Sequence, residues 1–460
     1  MSSPKLHIGD SGWRAVYTDS FTLEKLSAIV LSLAEIYPKQ KVLIGYDNRF
    51  LSPEFAKHIA HLLKGVAWEV DLLSDIFPTP GIARLVKDAY DWGLVITASH
   101  NPFYYNGLKI LNSKGLLSER KLNDQIQEKA ASKIEKEKLP GLYPLQFDAN
   151  VSFLKASSAY LSQIFRHIDK KYFKKSKLKV VWDSFGGTTN KLFPIFLKKL
   201  SLVNTGLYWP EDPTFGHRRL EPDEKSLQAL RKILLQKKYH VGIATDLDGD
   251  RFAVLNEKGQ FILPNIIGPL LTWYLLEFRK EKGTVYQTVS ASQLTQKICN
   301  QFNVELKEMP VGFQAMGQAM QANPQALIGM EETGGIAYAP HLCFKDGLMA
   351  HALLLEMLAS QKKTLSHLIE DMHKKFGRYH YHRIDLSLEK QESKSQWLEG
   401  SFWEKTTGEK IKTLSNTDGQ KFYFESGWVL VRDSKTEPLL RIYFESPKKA
   451  WISQILKALK

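Results

Sequence analysis

The chain has 460 residues, too many for a single hydrophobic core, and its 43% hydrophobic and 24% charged residues exclude a disordered or fibrous chain. The formal net charge of +14 favours anionic partners, whether nucleic acid, acidic lipid or phosphorylated metabolites, or else reflects a generally basic surface. Only two cysteines are present, Cys299 and Cys343, without zinc-ligand or CxxC spacing, so a reduced, cytoplasmic protein is the economical reading.

The first residues, MSSPKLHIGDSGWR, lack the apolar core of a signal peptide. Residues 41–49, KVLIGYDNR, read as an apolar strand ending in a polar turn. Residues 52–66 read as a helix with Ser52 as N-cap and Pro53 at the first helical position. WEVDLL (68–73) and WGLVITAS (92–99) are the next strands. Strand, helix, strand implies a crossover and a largely parallel or mixed sheet. A charged helix over 118–139 leads away and PGLYP (140–144) punctuates it. A second α/β unit opens near Val151. Its lysine-rich stretch 170–179 runs straight into the apolar VVW of 180–182, so it reads as a solvated approach to a strand, not a nucleic-acid arm. Residues 192–200 form a helix, and 240–259 read as strand, acidic turn, strand. The most hydrophobic run, FILPNIIGPLLTWYLLEF (261–278), contains Pro264, Asn265, Gly268 and Pro269, and reads as a loop and a buried helix, not a membrane span. Strands within 283–292 and 325–340 belong to a third unit. From 378 the pattern changes to short strands, turns and a closing helix, 448–460, a small α+β unit. The expected division is 1–150, 151–258, 259–376 and 377–460.

Three stretches carry chemistry. DLDGD places carboxylates at Asp246, Asp248 and Asp250. Three converging carboxylates repel unless a cation sits among them, and hard oxygen donors suit Mg²⁺, Mn²⁺ or Ca²⁺; the alternative is a solvated Asp-Gly hairpin turn. An EF-hand is disfavoured, because Arg251 stands where that loop needs Gly and FAVL (252–255) reads as a strand. Arg251 suits a nearby phosphate. Ser99, in TASHNP, sits at the carboxyl end of a strand, where α/β proteins place ligands. It is either a local cap or a functional hydroxyl; the G-x-S-x-G elbow of hydrolases is absent, as are glycines that permit its strained turn. In RDSKTEPLLR, Arg432, Ser434 and Thr436 alternate and, with backbone N–H groups, suit an anion-binding nest; the alternative is a surface turn.

Read together and in order, GDSGWR (9–14), TASHNP (97–102), YNGLKI (105–110), DLDGDR (246–251), MEETGG (330–335) and RDSKTEP (432–438) resemble the α-D-phosphohexomutases, which include phosphoglucomutases and phosphomannomutases. The resemblance spans the chain. It implies an α/β fold of four domains, three similar α/β domains with mixed sheets between helices and a smaller C-terminal α+β domain, each giving one loop to a central cleft. It implies an isomerase that moves phosphate between the 1- and 6-positions of a hexose, with Ser99 as phosphoserine and a 1,6-bisphosphate intermediate. Asp246, Asp248 and Asp250 would hold Mg²⁺ against that phosphate. Lys109 is the implied general acid/base, assisted by His100 and Arg14, though His100 as a purely orienting residue stays open. Glu331 and Thr333 would hold sugar hydroxyls; Arg251, Arg432, Ser434 and Thr436 would grip phosphate. Arg49, Lys435 and Arg441 are further candidates, Arg49 as a tie between loops. Glucose 1,6-bisphosphate is the implied activator.

The pattern also departs from the family. Asp433 and Lys435 replace Pro and Gly in the phosphate loop, Gln314 replaces a Lys in PVGFQ, and Gly335 stands where many members have His. One basic phosphate contact is expected to be lost at Gln314. The EE pair and GG ending favour glucose 1-phosphate, with mannose 1-phosphate or dual specificity as runner-up. A different class of reading is a catalytically weakened sugar-phosphate-binding protein. No nucleic-acid motif and no membrane partner are expected, and the chain is expected to be a monomer or dimer.

Overall fold

The computed structural model describes residues 6–17, 19–136, 139, 148–207, 212–387, 394–434 and 439–459. The segment 140–144 and the side chains of Lys435 and Thr436 lie outside the described residues.

Apolar runs flanked by turn residues form the central strands, as expected where helices cover both faces of a sheet. The first sheet holds β1 (Trp13–Val16), β2 (Lys41–Tyr46), β3 (Glu69–Leu72), β4 (Trp92–Ile96) and β5 (Tyr105–Asn112), in the order β1-β5-β4-β2-β3. β2 runs parallel to β3 and β4, whereas β5 is antiparallel to β4 and to β1. The second sheet holds β6 (Lys179–Asp183), β7 (Val203–Leu207), β8 (Val241–Thr245), β9 (Phe252–Leu255) and β10 (Phe261–Ile262), in the order β10-β9-β8-β6-β7. β6 is parallel to β7 and β8, and β9 turns back antiparallel to β8. The third holds β11 (Thr284–Thr288), β12 (Leu306–Met309), β13 (Ala326–Met330) and β14 (Ile336–Tyr338), in the order β12-β11-β13-β14. Here too the last hairpin, β13 to β14, is antiparallel on a parallel core. The fourth sheet is wholly antiparallel: β15 (His380–Ser387), β16 (Thr413–Ser415), β17 (Gln420–Tyr423), β18 (Trp428–Asp433) and β19 (Leu439–Ser446), in the order β15-β19-β18-β17-β16.

The first three sheets therefore repeat one topology without evident sequence identity. In each, the chain leaves a central parallel strand and returns beside it antiparallel. The connections are 97–104, 246–251 and 331–335, and they carry Ser99, the three aspartates and Glu331. One large core joins the three units, from Leu43, Phe77 and Ile82 through Trp182 and Phe193 to Val285, Ile328 and Leu353. The fourth unit has its own core around Trp403, Val429, Phe444 and Trp451.

Two local expectations change. Ser52 is not the N-cap of helix Ser52–Gly65: Leu51 takes that place at φ 57°, and the Ser52 hydroxyl donates to Asp47 (2.9 Å) instead. The apolar run 261–278 becomes β10, helix Pro264–Trp273 and one wider turn, Tyr274–Phe278. Among the described residues no helix is long and apolar enough to cross a membrane.

Candidate active site

Strand β4 is buried along its whole length, and the chain that leaves it bends sharply. Ser99 is 1% exposed and sits at φ 51°, a left-handed conformation taken without any glycine. The absence of glycines therefore did not prevent a strained turn. Its N–H donates to Thr97 Oγ1 (2.9 Å), and its hydroxyl donates to Asp246 Oδ2 across the boundary between two sheets (3.1 Å). Ser99 caps no helix.

Arg49 explains how the loop holds this shape. Its guanidinium donates to the backbone carbonyls of Ser99 (2.6 Å), Asn101 (2.6 Å), Pro102 (2.8 Å) and Tyr105 (3.0 Å). Its Nε pairs with Asp47 (3.2 Å), which also accepts from Thr97 and Ser52. A planar fork of donors is suited to bind several carbonyls at once. Arg49 thus contacts the loop backbone and not the cleft.

Asp246, Asp248 and Asp250 are all buried, and one carboxylate oxygen from each lies within 4.8 Å of the others. Gly249, at φ 75°, makes the turn that gathers them. Asp248 also accepts from Thr79 Oγ1 (2.7 Å), and its other oxygen, Oδ1, has no hydrogen-bond partner among the described residues. Lys109, from β5, places its ammonium on Asp248 Oδ2 (2.5 Å) and Asp250 Oδ2 (2.8 Å). Burial, then Asp248 and Asp250, push the Asp246 carboxyl well above the usual range. Burial also works against the other two carboxylates, but Lys109 overrides it and both fall below the usual range. Lys109 is held above its ordinary value, because the two aspartates outweigh the penalty of burial. Three buried carboxylates, two of them with an oxygen that makes no hydrogen bond among the described residues and one driven toward protonation, fit a hard divalent cation such as Mg²⁺.

The remaining candidates surround this cluster. Arg251 donates its N–H to Asp246 Oδ1 (3.0 Å) and its Nη1 to Glu221 (3.2 Å). Arg14 donates to the Asn101 side chain (2.7 Å), and its Nε has no partner among the described residues. His100 Nδ1 lies 3.4 Å from Ser99 Oγ. Desolvation, then Arg251, Arg14 and Lys345, hold that imidazole well below its ordinary value, so it is neutral at pH 7. Glu331 is 7% exposed, and burial pushes its carboxyl up against the opposing pull of Lys345. Thr333 is half-buried in the same loop. Arg251 and Gly335 form an isolated antiparallel bridge, which brings the loop 331–335 against the aspartate loop.

In the fourth unit, Arg432 and Arg441 stand directly opposite each other on β18 and β19. Like charges placed so are unfavourable unless carboxylates offset them, and Arg441 lies 4.0 Å from Asp385. Arg432 is 3% exposed and pairs with Asp418 (3.2 Å), while its Nε has no partner among the described residues. Ser434 follows at the end of β18, with its N–H bonded to Leu439 O (2.8 Å). Gln314 turns its amide to the Ser118 carbonyl, so this position ties the third unit to the first.

Sequence reasoning passed over Thr79, Glu221, Asp418 and Lys345. None belongs to a motif, and each meets its partner only through the fold. Lys345 is the most central: its ammonium lies 3.3 Å from Asp250 Oδ1 and 3.9 Å from Glu331 Oε2.

This arrangement has known counterparts. Four family domains match the chain in order: phosphoglucomutase/phosphomannomutase alpha/beta/alpha domain I over residues 5–137, domain II over 158–259, domain III over 264–376 and the C-terminal domain over 402–460. A phosphoglucosamine/phosphogalactosamine mutase of Sulfurisphaera tokodaii is 27% identical, covering 98% of each chain. A phosphoglucomutase/phosphomannomutase of Thermococcus kodakarensis is 28% identical, covering 95% of this chain and 94% of its own. The crystal structure of a "putative phosphomannomutase" from Thermus thermophilus superposes with a TM-score of 0.83 at 26% identity, over 99% of this chain and 98% of that one. The chain belongs to the phosphoglucomutase/phosphomannomutase family and is an isomerase of the phosphotransferring kind.

Proposed function

We propose that the enzyme interconverts hexose 1-phosphate and hexose 6-phosphate, with glucose 1-phosphate preferred, and that Ser99 carries the phosphoryl group. The observation that carries this reading is the buried Ser99 hydroxyl, bonded to Asp246 at the edge of the three-carboxylate cluster (3.1 Å). In the first half-reaction the phosphorus–oxygen bond to Ser99 breaks as one to the sugar 6-hydroxyl forms. The 6-hydroxyl proton leaves, and Ser99 Oγ is released as a hydroxyl. Lys109 and His100 are the groups beside the loop that exchange these protons. The resulting 1,6-bisphosphate turns over, and the 1-phosphoryl group returns to Ser99. Mg²⁺ held by Asp246, Asp248 and Asp250 would supply charge neutralisation at the transferring group.

Arg14 and Arg251 add positive charge beside the carrier. Arg432, Ser434 and Thr436, with Arg441 opposite and Lys435 in the same loop, grip the phosphate that is not transferred. Glu331 and Thr333 hold the sugar hydroxyls in both orientations. A second reading, glucosamine 1-phosphate, is favoured by the amino-sugar mutase that the chain resembles over nearly its full length.

The test is an assay with Mg²⁺, a trace of glucose 1,6-bisphosphate, and glucose, mannose or glucosamine 1-phosphate. Turnover of glucose 1-phosphate with the highest kcat/KM, lost with EDTA and restored by Mg²⁺, is expected. Preference for glucosamine 1-phosphate replaces the first reading by the second; turnover of none sinks both. Intact-mass measurement should show one phosphoryl adduct that Ser99→Ala abolishes, together with at least a thousandfold fall in kcat/KM, about 4 kcal/mol of transition-state stabilisation.

A further inference from the structure

Asp248 belongs to the second unit, yet both donors to its carboxylate come from the first. Helix Thr79–Ala89 opens on Thr79, which is fully buried. The Thr79 N–H, one of the donors that a helix start leaves unpaired, donates to the Asp248 carbonyl (2.9 Å). The Thr79 hydroxyl donates to Asp248 Oδ2 (2.7 Å), the same oxygen that takes the Lys109 ammonium. Two donors on one oxygen fix the rotation of the carboxylate and leave Oδ1 without a hydrogen bond among the described residues. The units meet closely here: a β-carbon on Gly249 would lie 2.9 Å from Pro78 Cβ and 3.0 Å from Thr189 Cγ2. Within its own unit the loop is held one residue earlier by Thr188, whose N–H (2.8 Å) and hydroxyl (3.0 Å) both donate to the Leu247 carbonyl.

The two donors on Asp248 are not equivalent. Lys109 brings a positive charge that opposes an incoming cation, and its hold on the carboxylate changes if it exchanges protons. A neutral hydroxyl orients the carboxylate without either effect. We propose that Thr79 is a positioning residue for the divalent cation, presenting Asp248 to the cluster and registering the cluster on the unit that carries Ser99. This rests on the reading that Asp246, Asp248 and Asp250 hold Mg²⁺. The role acts through Asp248 and so belongs to cation binding, not to recognition of the sugar.

The test compares the full wild-type chain with Thr79→Val, which keeps the shape and the N–H but not the hydroxyl, Thr79→Ala, which removes the hydroxyl without added bulk, and Thr79→Ser, which keeps it. Thr188→Ala is the control, since it removes a hydroxyl that supports the loop but touches no carboxylate of the cluster. Each is measured for calorimetric Mg²⁺ binding, for melting temperature in EDTA and for the Mg²⁺ dependence of turnover. The Mg²⁺ Kd should rise about 10–100-fold in Thr79→Val and Thr79→Ala and stay within about threefold of wild type in Thr79→Ser and Thr188→Ala. The kcat of Thr79→Val should recover at saturating Mg²⁺. Unchanged Mg²⁺ affinity in Thr79→Val and Thr79→Ala overturns the proposal, whatever happens to their melting temperatures. So does a Thr188→Ala loss equal to theirs, which would mean general loosening of the loop, or a Thr79→Ser loss equal to theirs. If wild type binds Mg²⁺ but turns over no hexose phosphate, the proposed reaction fails and the Mg²⁺ series still decides this inference; if wild type binds no Mg²⁺, this inference fails with the cation site.

Discussion

Ser99 at φ 51° occupies a conformation that costs a residue with a β-carbon about 1–2 kcal/mol. The strain is sustained by Arg49, whose four bonds to loop carbonyls and ion pair with Asp47 leave the loop no alternative shape. Lysine in that place offers one point charge where a fork of donors is needed. Arg49→Lys should therefore lower kcat by roughly 10–100-fold through misplacement of the serine alone. Arg49→Met also strands the buried Asp47 carboxylate, at a cost of about 3–5 kcal/mol. Urea denaturation checks the second effect, and single-turnover phosphoryl transfer checks the first. Equal kcat in Arg49→Lys and wild type would remove Arg49 from the positioning of Ser99.

At the level of elements, the repeated hairpin is what converts separate sequence stretches into one site. Its support comes from behind. His351, within helix Gly347–Gln361, lies 2.9 Å from the Ala244 carbonyl, two residues before Asp246. Burial holds its imidazole down to about 4. The unfolded chain, with an ordinary value of 6.5, binds a proton between these limits that the folded chain refuses. The stability this gives is complete above pH 6.5 and is lost as pH falls toward 4, by up to about 3 kcal/mol. His351→Gln keeps an N–H for Ala244 but removes the titration, so the slope of melting temperature against pH from 6.5 to 4 should flatten relative to wild type. An unchanged slope would move the acid sensitivity to the other buried histidines, His100, held well below its ordinary value, and His58 and His167, lowered by burial to about 4.

The elements themselves were legible because VLIG, LVI, VVW and VGIA are apolar on both sides, which only a covered sheet tolerates. The aspartate cluster was legible because DLDGD places its three carboxylates within five residues. Ser99 was less so. Its strained turn is held by Arg49, fifty residues earlier in the chain, and no local glycine announces it. Thr79 and Asp248 are 169 positions apart, and an ordinary threonine signals nothing until the fold joins them. Gln314 shows the same limit: its place in PVGFQ gives no sign that its amide meets the Ser118 carbonyl, 196 positions away. Residues in motifs were readable from spacing; residues that act through distant partners were not.

Across the whole molecule, the three α/β units share one core and the fourth stands on its own. The fourth is attached through Val289, Trp428, Leu430 and Tyr443 and through polar contacts. Lys421 and Tyr423 both reach Glu308 (2.7 Å each), and Asp418 accepts from Val311 N (2.9 Å). Scanning calorimetry should resolve two transitions, a larger one for the joined units and a smaller one for the fourth. Lys421→Met should lower the smaller by about 4–8 °C for each kcal/mol lost and leave the larger in place. A single transition that moves as a whole would deny the fourth unit its independence. The shared core also has a mechanical consequence. Ser99, the carboxylate cluster and the loop 331–335 lie on units that share one core, while Arg432 and Arg441 on β18 and β19 lie on a unit with its own. On the proposed reaction, an intermediate that reverses end for end is held at its reacting phosphate by the joined units and at its other phosphate by the fourth. The intermediate's end-to-end length is the same in both orientations, so what reversal changes is where the ring and its hydroxyls lie between the two phosphate grips.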